Sequence, residues 1–313
     1  MGMQAGQETV GSVLRFYQAA KGLSTDALAE SLGMSTSTYR RILSDDTVVK
    51  APAWFCLLDG LRLAPSEVAP LLPADYFPLQ SAYATLSDTI SPATRAFLLD
   101  HEVIAGPTQA YRDQLEATYQ RTGNIGYHQY AELADIFLAE LAQDGDGVRA
   151  KAEQLYQELI ALDSWGGFEW QLIASIATYL PFARLQVIFN RHLRHEAATN
   201  THWATLDDHQ VNLLFRSFLD NAIQERNRQD IETAIKWIRD RPITDTDLGY
   251  RALLRLCDIV VCDMAGDVTQ ATTLYKRLVA ALRLITDEED SLWILVAEDL
   301  WMNLVSFQID QLD

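Results

Sequence analysis

The chain has 313 residues, of which 49% are hydrophobic, and its formal net charge is −18. This length is sufficient for two domains with a substantial core, and no apolar run approaches the roughly 20 residues that are needed to cross a bilayer. Three cysteines are too few and too scattered for a disulfide framework, and the first residues lack the basic-then-apolar pattern of a signal peptide. We therefore expect a protein of the reducing cytoplasm with no membrane contact.

Residues 24–42 have the pattern of a helix-turn-helix. Ser24 is suited to cap a short first helix, and Gly33 to end it, because glycine adopts the left-handed backbone conformation without strain. Ser35 then caps a second helix, on which Tyr39 faces inward. In this motif the first turn of the second helix enters the DNA major groove. Any short helical pair with a glycine between its helices has a similar pattern, but the spacing favours DNA binding.

Apolar patterns predict one helix before this motif and two after it. The fourth helix is expected to begin after Pro52 and the fifth at Pro65. Five short helices within about the first 72 residues are the layout of a Cro/repressor-type DNA-binding domain. We therefore assign residues 1–72 to a helix-turn-helix DNA-binding domain and residues 73–80 to a linker.

The charge is distributed unevenly between this head and the rest of the chain. Residues 1–72 carry six basic and seven acidic side chains, a net charge of −1, whereas the remaining 241 residues have a net charge of −17. An acidic body with a nearly neutral head is compatible with DNA contact at one end only, although acidity also simply keeps proteins soluble. Few phosphate contacts predict weak binding by a monomer, which a dimer with two heads would offset.

Residues 81–313 are predicted to be helical throughout, with breaks that include Gly106-Pro107. The pattern Ala-x-x-Leu-Tyr-x-x-Leu begins at Ala152 and again at Ala271, and a poorer copy begins at Ala234. These spacings fit a repeat of roughly 40 residues. The predicted fold is therefore all-α, a five-helix Cro/repressor-like domain followed by a tetratricopeptide-like solenoid of helical hairpins. The first helix of each hairpin would line a concave groove.

Two pairs of polar residues occupy matching positions of adjacent repeats. Asn212 and Arg216 lie one helical turn apart, and Arg251 and Arg255 do so one repeat later. Arginine offers a rigid fork of donors, so these side chains could bind the backbone and the carboxylate of an extended peptide. The alternative, which the sequence leaves open, is that they form ion pairs between repeats or face solvent.

The whole chain resembles the Rgg/MutR/GadR group of regulators from low-GC Gram-positive bacteria, within the peptide-sensing class called RRNPP. Motif-level similarity is confined to the head, in segments 11–15 and 21–24, and the body matches by architecture. The resemblance implies a homodimeric transcription regulator that binds promoter DNA. It also implies that a short signalling peptide, a quorum-sensing pheromone, binds in the concave face of the repeats.

The resemblance also implies roles for individual residues of the head. Arg15 and Thr25 would contact DNA phosphates. The major-groove side of the second helix would be lined by Thr36, Ser37, Arg40 and Arg41. The chain departs from the family in two places: Gln18 stands where the family usually has arginine, and Asp45-Asp46 follow the second helix and bring acid near the DNA backbone.

The sequence does not support an enzymatic function, because it has no glycine-rich phosphate loop, zinc-protease motif or nucleophile elbow. His192 and His195 share a helical face but lack a third ligand at a definite spacing, so we expect neither a metal nor a cofactor. Trp165 and Trp170 flank a Gly-Gly turn, where they could be exposed. The alternative function is a helical-repeat interaction module whose degenerate head binds a protein rather than DNA.

Overall fold

The computed structural model describes residues 8–45, 47–73, 76, 78–95, 101–163, 165–190, 208–240, 248–285 and 292–309. The regular structure in these ranges is entirely helical, so the all-α prediction is confirmed. The chain divides into two compact units, Met1–Ser87 and Asp88–Asp313. Among the residues described, no helix is both long and apolar enough to span a membrane.

The first unit contains the five predicted helices of the head. They are α1 (Val10–Ala20), α2 (Thr25–Ser31), α3 (Thr36–Leu43), α4 (Ala51–Gly60) and α5 (Pro65–Val68). A short 3-10 turn, Ala69–Leu71, follows α5 directly. The fourth helix begins one residue before Pro52 rather than after it, because proline needs no N–H partner in a first helical turn.

The turn between α2 and α3 is built by the residues that the sequence indicated. Ser24 Oγ accepts a hydrogen bond from the N–H of Ala27 at 3.1 Å, and Ser35 Oγ accepts one from the N–H of Thr38 at 3.2 Å. Each bond satisfies an N–H that has no partner within its own helix. Gly33 has a φ of +63°, where any other residue is strained. The helix-turn-helix geometry is therefore specified locally.

The head has a hydrophobic core of its own. Leu14 of α1, Tyr39 of α3 and Leu57 of α4 are completely buried, and the half-buried Met34 of the turn packs against this cluster as predicted. Burial of each such large side chain stabilises the fold by ~1.5–3 kcal/mol. The core therefore fixes which face of α3 is turned inward and which is left in solvent.

The second unit consists of stacked helix pairs. Helix α6 (Pro78–Arg95) spans the boundary between the two units. The helices that follow it are α7 (His101–Thr122), α8 (Ile125–Leu141), α9 (Gly145–Ile160), α10 (Gly167–Ile176), α11 (Phe182–Ile188), α12 (Asp208–Gln224), α13 (Arg228–Asp240), α14 (Leu248–Met264), α15 (Val268–Ile285) and α16 (Leu292–Ile309). The pairs α8–α9, α12–α13 and α14–α15 each pack as hairpins, and α7 packs along α8.

The repeated alanine lies at the packing surface of the second helix of each hairpin. Ala152 in α9, Ala234 in α13 and Ala271 in α15 are completely buried. A small side chain lets two helices approach closely. The first helices α8, α10, α12, α14 and α16 contact one another in chain order, and α12 also contacts α16 directly. This stacking is that of a helical-hairpin solenoid.

Two local predictions in this unit are wrong. No break occurs at Gly106-Pro107, because α7 continues through both residues; a proline inside a helix removes one backbone hydrogen bond, and the packing of α7 along α8 offsets this loss. Trp165 and Trp170 are buried rather than exposed, with their rings edge to face and 4.9 Å apart. Trp165 Nε1 donates to the carbonyl oxygen of Leu159 at 2.8 Å, which satisfies the indole inside the core.

Candidate functional site

The second helix of the motif, α3, exposes a polar and basic face. Ser37, Arg40 and Arg41 are exposed and Thr36 is half-buried, whereas Tyr39 is completely buried on the opposite side. At the start of the helix, Ser35 Oγ lies 3.0 Å from Ser37 Oγ. The head therefore presents hydroxyl groups and two guanidinium groups along one side of a helix, as a major-groove reader requires.

The basic side chains predicted to contact DNA have no acidic partner in the described part of the chain. Within the described ranges, Arg15, Arg40 and Arg41 form no ion pair with any acidic side chain. All three are exposed. Unpaired arginines on a protein surface are available to phosphates and to base edges. Their roles in DNA binding remain predictions.

Gln18 connects helices α1, α2 and α3 of the head, a role that the sequence did not indicate. Its Nε2 donates to the carbonyl oxygen of Leu23 at 3.1 Å and to Thr25 Oγ1 at 3.0 Å. Its Oε1 accepts a hydrogen bond from the buried Tyr39 hydroxyl at 3.0 Å. Burial raises the pKa of Tyr39 to about 12, so this hydroxyl keeps its proton.

The Gln18 network also orients Thr25, which was predicted to contact a phosphate. Because the oxygen of Thr25 accepts from Gln18, its own O–H proton is free to point elsewhere. A phosphate oxygen beside this half-buried residue would be a suitable acceptor. Positioning a donor in advance in this way lowers the entropy lost on binding.

Asp45 has a structural role instead of simply adding acid near the DNA backbone. Its carboxylate accepts hydrogen bonds from Thr9 Oγ1 at 2.5 Å and from the N–H of Gly11 at 2.7 Å, at the positive end of α1. A Cβ atom on Gly11 would collide with the Leu43 carbonyl oxygen and with this carboxylate. The end of α3 is therefore fastened to the start of α1, and Asp46 lies outside the described residues.

The predicted peptide-binding residues of α12 lie in a partly buried polar cluster. Asn212 is buried, and Arg216 is half-buried. Arg216 Nε donates to Asp220 Oδ2 at 2.9 Å, and Arg216 Nη2 lies 3.6 Å from Asp299 Oδ2 of α16. Arg216 therefore takes part in an ion pair between repeats, which was the alternative left open by the sequence.

The predicted residues of α14 have other partners. Arg251 and Arg255 are both exposed. Arg255 Nη1 lies 3.0 Å from Asp258 Oδ2, and the other oxygen of this carboxylate accepts from Arg239 Nη2 of α13 at 2.9 Å. The ion-pair partners of Arg216 and of Arg255 thus belong to different helices. Peptide binding by these four residues remains a prediction.

Asp220 has an unusual environment within the α12 cluster. It is 4% exposed, and its buried Oδ1 atom has no hydrogen-bond partner among the described residues. Burial raises the pKa of Asp220 to about 6; Arg216 lowers it and Asp299 raises it further. Across the part of the chain that is described, no group of three or more His, Cys, Asp or Glu side chains could hold a metal ion.

Comparison with known proteins agrees with this geometry. Residues 9–71 match the sequence family described as a helix-turn-helix domain. The head is a helix-turn-helix domain. By sequence, no curated protein matches the chain.

Solved structures share the fold of the entire chain. The SHP pheromone receptor Rgg2 of Streptococcus dysgalactiae is 13% identical with a TM-score of 0.67, and 94% of this chain and 99% of that chain align. The PrgX/cCF10 complex is 12% identical with a TM-score of 0.64, covering 95% and 92%. A candidate transcriptional regulator from Listeria monocytogenes EGD-e is 12% identical with a TM-score of 0.71, covering 96% and 98%. The chain therefore has the fold of the PrgX and Rgg2 receptors.

Proposed function

We propose that the protein is a cytoplasmic DNA-binding transcription regulator whose DNA affinity is controlled by a short signalling peptide bound to its helical repeats. The observation that carries this proposal is the exposed basic face of α3 in a folded helix-turn-helix domain, where Arg40 and Arg41 pair with no acidic side chain of the described ranges. The fold is shared with a pheromone receptor and with a PrgX/cCF10 complex. We expect no enzymatic activity.

The DNA contacts follow from the positions of the side chains. Arg40 and Arg41 would read base edges in the major groove, where arginine binds guanine with two hydrogen bonds. Thr36 and Ser37 at the start of α3 would contact bases or phosphates, and Arg15 and Thr25 would contact phosphates. Because the head has a net charge of −1, we expect one head to bind weakly. A homodimer would present two heads to two half-sites and thereby raise the affinity.

The peptide would act by shifting the equilibrium between two arrangements of the dimer. Asn212 and Arg216 of α12, together with Arg251 and Arg255 of α14, are the residues proposed to contact it. A ligand changes DNA affinity only to the extent that it binds one arrangement more tightly than the other, and such coupling typically amounts to ~1–3 kcal/mol.

A second candidate function is a protein-interaction module. Val48 and Phe55 of the head are 91% and 58% exposed, and apolar side chains on a nearly neutral surface suit contact with a protein. In that case the head would bind another regulator, or its own copy, rather than DNA.

A gel-shift experiment separates the two functions. The full chain is titrated onto the promoter region beside its own gene at two salt concentrations, with and without peptides encoded by neighbouring small reading frames. We expect binding at low salt that weakens steeply as salt rises, because counterions are released from DNA. A complete lack of binding at low salt, with and without peptide, would exclude the DNA-binding function.

A further inference from the structure

The cluster around Arg216 contains two carboxylates for one cation. Asp220 on the same helix and Asp299 on α16 both face this guanidinium group. Within the described part of the chain, Arg216 and Asp299 are the charged groups that shift the pKa of Asp220. The cluster therefore carries one negative charge more than it can neutralise.

Beside this excess negative charge lies a buried carboxylate oxygen that receives no hydrogen bond from the described residues. Asp220 Oδ1 has no hydrogen-bond partner in the described part of the chain, and its side chain is only 5% exposed. A buried carboxylate oxygen without a donor is unfavourable. Arg216 reaches Asp220 only through Nε, because Nη2 is directed to Asp299. The guanidinium group is thus divided between two acids and completes a two-point contact with neither.

We propose that Asp299, beside Arg216 and Asp220, is a subsite for a cationic group of the bound peptide, either its α-ammonium group or the side chain of a lysine or arginine. This inference rests on the proposed peptide-binding function. Asp299 is 59% exposed and so accessible to a ligand, whereas Asp220 acts as a positioning residue through Arg216.

The geometry also gives a reason why binding of a cation is favourable. A ligand ammonium group that pairs with Asp299 releases Arg216 Nη2, which can then donate to Asp220 Oδ1. Two parallel hydrogen bonds between an arginine and a carboxylate are stronger than one. The ligand therefore gives Asp220 Oδ1 a hydrogen-bond donor without contacting Asp220 itself. The cluster then contains two cationic groups and two carboxylates.

A peptide carboxylate is the less suitable ligand at this position. It would compete with two internal carboxylates for Arg216 and add a third negative charge. Among the described residues, the cluster on α13 and α14 has the opposite balance, since Arg239 and Arg255 both pair with the carboxylate of Asp258. The carboxylate of the peptide is therefore expected at the α14 arginines.

The test uses the full chain and a bead-bound library of heptapeptides made from glycine, leucine, isoleucine, valine, tryptophan, aspartate and lysine. The library is synthesised twice, with free and with acetylated N-termini. Wild type is compared with Asp299→Asn and with a matched control, Glu298→Gln. Glu298 is the neighbouring residue on α16, and it pairs with Arg283 of α15 rather than with Arg216.

We expect wild type and Glu298→Gln either to capture the library with free N-termini about two- to fivefold more than the acetylated library, or to enrich peptides with lysine by about two- to fivefold in both libraries, and we expect Asp299→Asn to lose this preference. Loss of capture on acetylation identifies the α-ammonium group, whereas lysine at one fixed position in both libraries identifies a side chain. Capture that depends neither on a free N-terminus nor on lysine, or a dependence that survives Asp299→Asn, would overturn the inference and leave the proposed function intact. If no variant captures any peptide, both are overturned.

Calorimetry at pH 6 in two buffers supplies a second measurement with the captured peptides. The added cation and the completed Arg216 contact should lower the pKa of Asp220, so binding should release protons. Proton release that is lost in Asp220→Asn supports the role of Asp220, and equal release by both proteins contradicts it.

Discussion

Three arginines of the head and two arginines of the body differ in whether they form ion pairs. In the head, Arg15, Arg40 and Arg41 are exposed and form no ion pair with a described acidic residue. In the body, Arg112 binds Asp135 through two nitrogens at 3.1 Å, and Arg216 is divided between two carboxylates. These two arginines of the body are therefore used for internal packing, whereas the three arginines of the head have no acidic partner among the described residues. Net charge alone, −1 for the head, hides this difference.

The largest effect is expected when the free cations of α3 are removed. Arg40→Ala combined with Arg41→Ala should lower the affinity for specific DNA by about thirtyfold or more, because each two-point contact with a base is worth ~1–3 kcal/mol. Gel shifts at fixed salt measure the change. Lys50→Ala, which removes one exposed charge at the start of α4, is the control and should change the affinity by less than about threefold. Equal losses of DNA affinity in the double variant and in Lys50→Ala would mean that α3 makes no specific contact with the bases.

The next effect concerns how the two regions tolerate a methyl group on a helical glycine. Gly11→Ala should lower the free energy of unfolding of the head by about 1–3 kcal/mol, since the new Cβ collides with backbone at the end of α3. Gly106→Ala in α7 meets no atom and should instead stabilise its helix by about 0.5–1 kcal/mol. Amide hydrogen exchange, measured separately for α3 and α7, distinguishes the two; a uniform change along the chain would contradict the prediction.

A smaller, pH-dependent effect is expected from Glu132 of α8. Burial, followed by the charge of Glu158, raises the pKa of Glu132 from 4.5 to about 7, and its buried Oε2 atom has no hydrogen-bond partner within the ranges that the structure describes. The neighbouring charged and polar groups on α7, α8 and α9 are Glu116, His128, Asp135, Gln154 and Glu158. The folded chain therefore holds this proton more tightly than the unfolded chain, and ionisation destabilises the fold.

The sign of the effect follows from this difference. The penalty is absent below the unfolded pKa of 4.5, grows as the pH rises towards 7, and is complete above it. Glu132→Gln should raise the free energy of unfolding by about 2 kcal/mol at pH 8 and by little at pH 5, as measured by urea unfolding. Glu30→Gln on the head serves as the control. A Glu132→Gln effect that is independent of pH would refute the mechanism.

The features that the sequence predicted are those encoded within a few residues. The caps Ser24 and Ser35 and the left-handed Gly33 act on neighbours at most three residues away, so their types and spacing were sufficient. The buried alanines of the repeats were also predictable, because a helix crossing admits only a small side chain. Local chemistry therefore identified the head and the fold class.

The features that were missed depend on contacts between distant parts of the chain. Gln18 was noted only as a departure from a family pattern, yet it joins three helices through residues up to 21 positions away. For Arg216 the sequence left a ligand contact and an ion pair between repeats open, and it did not indicate that the partner is Asp299, which lies in another repeat. Helical spacing shows which residues share a face but not which helix packs against that face. Gln18 lies one helical turn after the apolar Leu14, and this spacing was a clue that its side chain faces inward.

The hydrogen bond between Tyr39 and Gln18 limits which substitutions the head can accept over evolution. Gln18→Arg would supply the positive charge that related heads usually have at this position. An arginine side chain has donors and no acceptor, so the buried Tyr39 hydroxyl would lose the acceptor that Gln18 Oε1 provides. The two positions should therefore change together. Homologous heads with arginine at position 18 are expected to have, at position 39, a residue such as phenylalanine that needs no acceptor.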